Sequence, residues 1–182
     1  MRPGQIVCDL GAAPGVNDDG SAGWSQVASK HLRIHPNQTN DSKSMLIAVD
    51  LLPMNPIPGV HFIQGDFTQL ATQKRVSELV GGREIDVVLS DMCANITGTV
   101  KDAESSLNLC EMAFGFASQH LQANTNPKSG TLVMKYFEHP DLLDFMKQKL
   151  KPAFENVRTL RLAASRSESS EQYFLCTGFR GS

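Results

Sequence analysis

The stretch Val7-Cys-Asp-Leu-Gly-Ala-Ala-Pro-Gly15, followed after a polar interval by Gly23-Trp-Ser-Gln26, constrains this chain more than any other part of it. The apolar run Ile6–Leu10 predicts a strand that carries Asp9. Small residues and a proline follow, and residues 24–32 then repeat Trp24, Val27, Ala28 and Leu32 at helical spacing, with Ser21 or Ser25 placed to cap the helix. Strand, glycine turn and helix form the opening unit of a nucleotide-binding α/β domain. The glycines admit a ligand close to the backbone, and the helix start offers N–H groups that no helical carbonyl accepts from. The turn is neither a G-x-G-x-x-G dinucleotide fingerprint nor a phosphate loop ending in Lys-Ser/Thr.

The rest of the chain repeats the alternation. Strands are predicted at 45–49, 60–63, 85–89, 130–134, 157–162 and 172–177, and helices at 70–80, 105–121 and 140–150. Gly81-Gly82 closes the second helix and Pro140 opens the last. Residues 35–44 read as a polar surface loop, and Leu51-Leu-Pro-Met-Asn-Pro-Ile-Pro58 as a proline-broken connection. Such alternation is the sign of a mostly parallel sheet covered on both faces. At 182 residues the expectation is one domain. No apolar run approaches membrane-spanning length, and residues 1–4 are neither a signal nor a transit peptide. The strand that follows begins so abruptly that an N-terminal part is expected to be missing. Cys8, Cys93, Cys110 and Cys176 are far apart and read as reduced, mostly buried thiols with no metal site.

Charged residues punctuate the strands. Asp9, Asp50, Asp66, Asp91 and Lys135 each fall in or at the C-terminal end of a predicted strand. In open parallel sheets that edge is where ligands bind. One such carboxylate is ordinary, since many cap the next helix; five charges along one edge are not. Asp50, ending the second strand, stands where an acid takes the ribose hydroxyls of a nucleoside cofactor. Asp66, in Gln64-Gly-Asp-Phe67, is placed to accept from an adenine amino group. Taken alone, Trp24 reads more readily as core than as a cofactor contact, Lys135 as a solvated strand-end lysine and Glu171 as an exposed loop carboxylate.

Together these segments resemble the FtsJ/RrmJ-type ribosomal RNA 2′-O-methyltransferases. The resemblance lies in Asp9-Leu-Gly-Ala-Ala-Pro-Gly15 with Trp24-Ser-Gln26, Asp50-Leu-Leu-Pro-Met54, Gln64-Gly-Asp-Phe67, Leu89-Ser-Asp-Met92 with Asn95 and Gly98, and Ser165-Arg-Ser-Glu-Ser-Ser-Glu-Gln-Tyr-Phe174. It spans nearly the whole chain in order, and the last motif looks most like the mitochondrial members that modify large-subunit rRNA. The resemblance implies a Rossmann-like, class I S-adenosylmethionine-dependent methyltransferase whose seven-stranded sheet has an antiparallel last strand. It implies cofactor-binding positions at Gly11, Gly15, Gly23, Trp24, Asp50, Asp66 and Asp91. Of the family's Lys-Asp-Lys-Glu catalytic tetrad, it maps the last three members onto Asp91, Lys135 and Glu171. The substrate it implies is a uridine 2′-hydroxyl in large-subunit rRNA, the compartment mitochondrial or else cytoplasmic, and the protein a monomer away from membranes.

Three departures accompany the resemblance. The tetrad's leading lysine precedes the glycine turn in the family, within a basic helical segment, and this chain begins too late to contain it. Asn17-Asp-Asp-Gly-Ser-Ala22 interrupts a turn that usually runs straight from glycine to tryptophan, and Cys93-Ala94 replaces the usual Ala-Pro. With a net charge of −2, RNA contact has to be local, and Lys101, Lys128, Arg158, Arg161 and Arg166 are the candidates. A non-catalytic RNA-binding or ribosome-assembly factor that keeps the cofactor pocket is the alternative reading, and a tRNA or mRNA-cap 2′-O-methyltransferase the third.

Overall fold

The computed structural model describes residues 1–13, 22–35, 44–93, 100–123, 130–137, 140–161 and 171–181. It contains two compact units, Met1–Asp91 and Met92–Ser182.

In the first unit, strands β1 (Ile6–Leu10), β2 (Met45–Asp50), β3 (His61–Gln64) and β4 (Val87–Ser90) alternate with helices α1 (Trp24–Leu32) and α2 (Leu70–Val80). β1 pairs in parallel with β2 and β4, and β2 with β3. Every residue of β1 and β4 is buried, which is why these strands read as unbroken apolar runs rather than alternating ones. Helix α1 has the expected ends but not the expected inner face. It buries Ser25, Ala28, Ser29 and Leu32, whereas Val27 is 40 % exposed and Trp24 half-buried. The helix rests on its small residues. Gly23 is the N-cap, and Ser25 turns inward instead of capping. In α2 the stripe Thr72, Val76 and Val80 is buried, and the helix ends at Gly81 as read from the sequence.

The second unit comprises α3 (Val100–His120), β5 (Thr131–Phe137), α4 (Pro140–Phe145), which runs through a π-helical turn at Met146–Leu150 into α5 (Lys151–Ala153), and then β6 (Phe154–Leu160) and β7 (Glu171–Phe179). β7 is antiparallel to both β5 and β6. The strand order is β3-β2-β1-β4-β5-β7-β6 in a seven-stranded sheet, the mostly parallel α/β arrangement with an antiparallel last strand that the sequence implied. Phe114 meets Phe145 edge-on at 5.9 Å and Tyr136 stacks on Phe174 at 4.0 Å, so aromatic rings fill much of this unit's core.

Two boundaries matter for the site. Helix α3 starts at Val100 rather than 105, and the expected start, with its serines, is interior to the helix: buried Ser106 accepts the backbone N–H of Phe137 at 3.1 Å. Strand β5 continues to Phe137, so Lys135 lies inside the strand and not at its end. The cause is pairing. Lys135 is opposite Tyr173 and Phe137 opposite Glu171, and these partners carry the ladder beyond the apolar run that marks the strand in the sequence. β6 and β7 are likewise shifted or lengthened, starting at Phe154 and ending at Phe179.

Candidate active site

The C-terminal edge of the first unit's sheet gathers the acids. Parallel register sets Leu10 beside Val49 and Ser90, so the residues that follow, Gly11, Asp50 and Asp91, leave their strands at one level. Backbone bonds fix that level: Gly11 N–H donates to the Val49 carbonyl at 2.8 Å, Asp91 N–H to Leu10 at 2.8 Å and Gly65 N–H to Asp50 at 2.8 Å. Gly11 adopts φ +83, a left-handed turn that β-carbon-bearing residues rarely enter, and this turns the chain off β1 over the sheet edge.

Asp50 is held from both sides. Its Oδ2 accepts the N–H of Ala13 at 2.9 Å and its Oδ1 the N–H of Leu52 at 2.8 Å. A carboxylate has about four acceptor positions, and these two bonds orient it while leaving capacity for a pair of vicinal hydroxyls. The exposed side chains of Leu51 and Leu52 follow directly, and Ala12, Ala48 and Met54 pack beneath the turn. A fixed acceptor on an apolar shelf beside a glycine turn suits the hydroxyls of a nucleoside cofactor's ribose, so the residues present fit S-adenosylmethionine.

Asp66 takes a different local role. Its Oδ1 accepts both the N–H (2.8 Å) and the hydroxyl (2.7 Å) of Thr68, the side-chain turn that leads into α2. These bonds hold its carboxyl below the usual carboxylate range. Asp66 thus closes a turn just before α2 rather than capping the helix, whose N-cap is Gln69 with no side-chain cap bond. Of the remaining cofactor positions, Gly23 and half-buried Trp24 begin α1, and Gly15 lies outside the described residues. The 14–21 segment, with most of the Asn17-Ala22 insertion, and positions 94–99, with Asn95 and Gly98, also lie outside them.

Asp9 is the most perturbed acid. Its side chain is fully buried, and Oδ2 accepts the Ser25 hydroxyl at 2.6 Å. Oδ1 has no partner among the described residues. Burial pushes its pKa up to about 7; the Ser25 bond opposes the rise, and the charges of Asp91 and Asp50 add to it. Sequence reading placed Asp9 at the strand end but missed its partner. Ser25 betrays itself only as a small polar residue at the first turn of α1.

In the second unit, Lys135 Nζ lies 3.4 Å from Glu171 Oε1, with side chains 10 % and 22 % exposed. Tyr173, also buried, donates its hydroxyl to the same Glu171 oxygen at 3.2 Å. Glu171 is thus the first residue of β7 and not the exposed loop carboxylate its context suggested. The Cys110 thiol donates to the Lys135 carbonyl at 3.3 Å, and its burial pushes that thiol up to about 12. Cys8 and Cys176 are buried as expected, whereas Cys93 is exposed. Of the RNA-contact candidates, Arg158 and Arg161 are exposed at β6 and its end; Lys128, Arg166 and the Lys101 side chain lie outside the described residues.

A family model described as FtsJ-like methyltransferase matches residues 1–179. A protein of Alkalilimnicola ehrlichii named ribosomal RNA large subunit methyltransferase E is 39 % identical over 180 residues, 98 % of this chain and 76 % of that one. Among solved structures, one from Plasmodium falciparum described as a ribosomal RNA methyltransferase superposes with TM-score 0.75 at 26 % identity, covering 98 % of this chain and 88 % of that one. A Streptococcus mutans protein described as a methyltransferase, solved in complex with SAH, shares the fold at TM-score 0.51 and 14 % identity, covering 95 % of this chain and 85 % of that one. No helix among the described residues is long and apolar enough to cross a membrane.

Proposed function

The chain belongs to the FtsJ-like methyltransferase family, and from that premise we propose that it transfers a methyl group from S-adenosylmethionine to a uridine 2′-hydroxyl of large-subunit ribosomal RNA. The observation that carries the reading is the fixed Asp50 carboxylate, held by Ala13 and Leu52 at the sheet edge beside the Gly11 turn. In it Asp50 receives the ribose hydroxyls, with Gly11, Gly15, Gly23, Trp24, Asp66 and Asp91 forming the rest of the cofactor site. When bound, S-adenosylmethionine supplies the methyl as an electrophilic carbon on a sulfonium sulfur.

The reacting hydroxyl is a poor nucleophile at neutral pH, so the protein has to orient it and manage its proton. Lys135, Asp91 and Glu171 carry that work. A carboxylate 3.4 Å from Nζ stabilises the ammonium. Lys135 is therefore suited to hold the hydroxyl oxygen and the negative charge that grows there as its proton passes to solvent water. Exposed Arg158 and Arg161 supply local phosphate contacts on a chain of net charge −2. The protein acts as a monomer, as one methyltransferase domain, and the bacterial relatives favour the cytoplasmic over the mitochondrial setting.

Calorimetric titration with S-adenosylmethionine tests the cofactor half. The intact chain is expected to bind, and Asp50→Ala to weaken binding by roughly tenfold or more, the scale of losing charged hydrogen bonds. Equal affinity in the two proteins would contradict the assignment of Asp50.

A further inference from the structure

We propose that Tyr173 is a positioning residue for methyl transfer: its phenol hydroxyl fixes the Glu171 carboxylate so that one oxygen faces Lys135. The proposal rests on the reading of Lys135 given above and extends it to a residue that is not a member of the tetrad.

The geometry is a shared acceptor. Glu171 Oε1 receives the Tyr173 hydroxyl at 3.2 Å and lies 3.4 Å from Lys135 Nζ. Strand pairing builds this arrangement. Tyr173 is directly across from Lys135 in the antiparallel β5–β7 ladder, and Glu171 is two residues before Tyr173, on the same strand face. Three side chains thus meet on one face, one from β5 and two from β7. Tyr173 is 5 % exposed, so its ring is fixed by packing and its hydroxyl has a set position. Glu171 is the opposite case: it opens β7 directly after residues 162–170, its side chain is 22 % exposed, and a glutamate has three rotatable bonds. For one carboxylate oxygen to face Nζ, a glutamate so placed has to be oriented by more than the ion pair. The buried phenol supplies the anchor. Leu160 of β6, opposite Tyr173, brings no charge to compete for the hydroxyl.

The test is Tyr173→Phe, which keeps the buried ring and removes only the hydroxyl. Methylation of undermethylated large ribosomal subunits is measured beside S-adenosylmethionine affinity and the thermal midpoint. The expected result is a kcat lower by roughly three- to tenfold, the scale of one hydrogen bond, with cofactor affinity unchanged. In a Glu171→Gln background the same substitution is expected to add less than twofold, because both changes act on one contact. An unchanged kcat in Tyr173→Phe would overturn the proposal, as would an equal loss in the Glu171→Gln background. Lys135→Ala separates the two levels. If it abolishes methylation while Tyr173→Phe is silent, only the role of Tyr173 falls; if it methylates normally, the reading of Lys135 falls and the proposal with it.

Discussion

Asp9 places a carboxylate in a fully buried position with one oxygen on Ser25 and the other without a partner among the described residues. Its pKa is raised by burial to about 7, above the ordinary 3.8, so the folded protein binds this proton more tightly than the unfolded chain. The stability it contributes is therefore complete below pH 4 and is lost as pH rises through 7. The thermal midpoint of Asp9→Asn, which keeps an acceptor for Ser25, is expected to exceed that of the native protein by several degrees at pH 8, and the gap to shrink toward pH 5 and close only below pH 4. A gap of constant size across that range, read by calorimetry, would show that Asp9 does not titrate there. The sheet edge that gathers Asp9, Asp50 and Asp91 thus makes the charges of the latter two raise the cost of charging the first.

At the scale of elements, the parallel half was legible and the antiparallel half less so. β1 and α1 have the bounds the sequence predicts, because a buried parallel strand is a continuous apolar run and a glycine turn marks its end. The apolar run stops at Met134, before Lys135, so the sequence alone predicts a β5 shorter than Thr131–Phe137. What extends the strand is its pairing with Glu171 and Tyr173, more than thirty residues away, which no local pattern carries. The inner face of α1 departs from the sequence expectation for a similar reason. Hydrophobicity favoured Val27, while proximity to Asp9 and the sheet favoured Ser25 and Ser29. Gly130 shows what the sequence marks without explaining. It has φ +60, and a β-carbon there would lie 2.5 Å from the Phe179 Cβ and 2.6 Å from the Gln122 carbonyl oxygen. Gly130→Ala is expected to cost about 2–4 kcal/mol, seen as a lower urea midpoint with an unchanged slope. A variant as stable as the native protein would mean that this turn relaxes freely.

For the molecule as a whole, the acids at the sheet edge and the Lys135–Glu171–Tyr173 group come from motifs spread along the sequence, which is why no single segment discloses the activity. The acids are legible because each lies in or just after the end of a strand; Tyr173 is not, because its role depends on cross-strand register. The orientation of Asp50 likewise emerges only from its hydrogen bonds with Ala13 and Leu52. The most direct test of the account is nucleoside analysis of large-subunit rRNA after incubation with this protein and S-adenosylmethionine carrying an isotope-labelled methyl group. The account predicts label in 2′-O-methyluridine with the native chain and none with Lys135→Ala. Label on a base, or no transfer by a native chain that binds both cofactor and RNA, would contradict it and favour a binding factor that keeps the cofactor pocket.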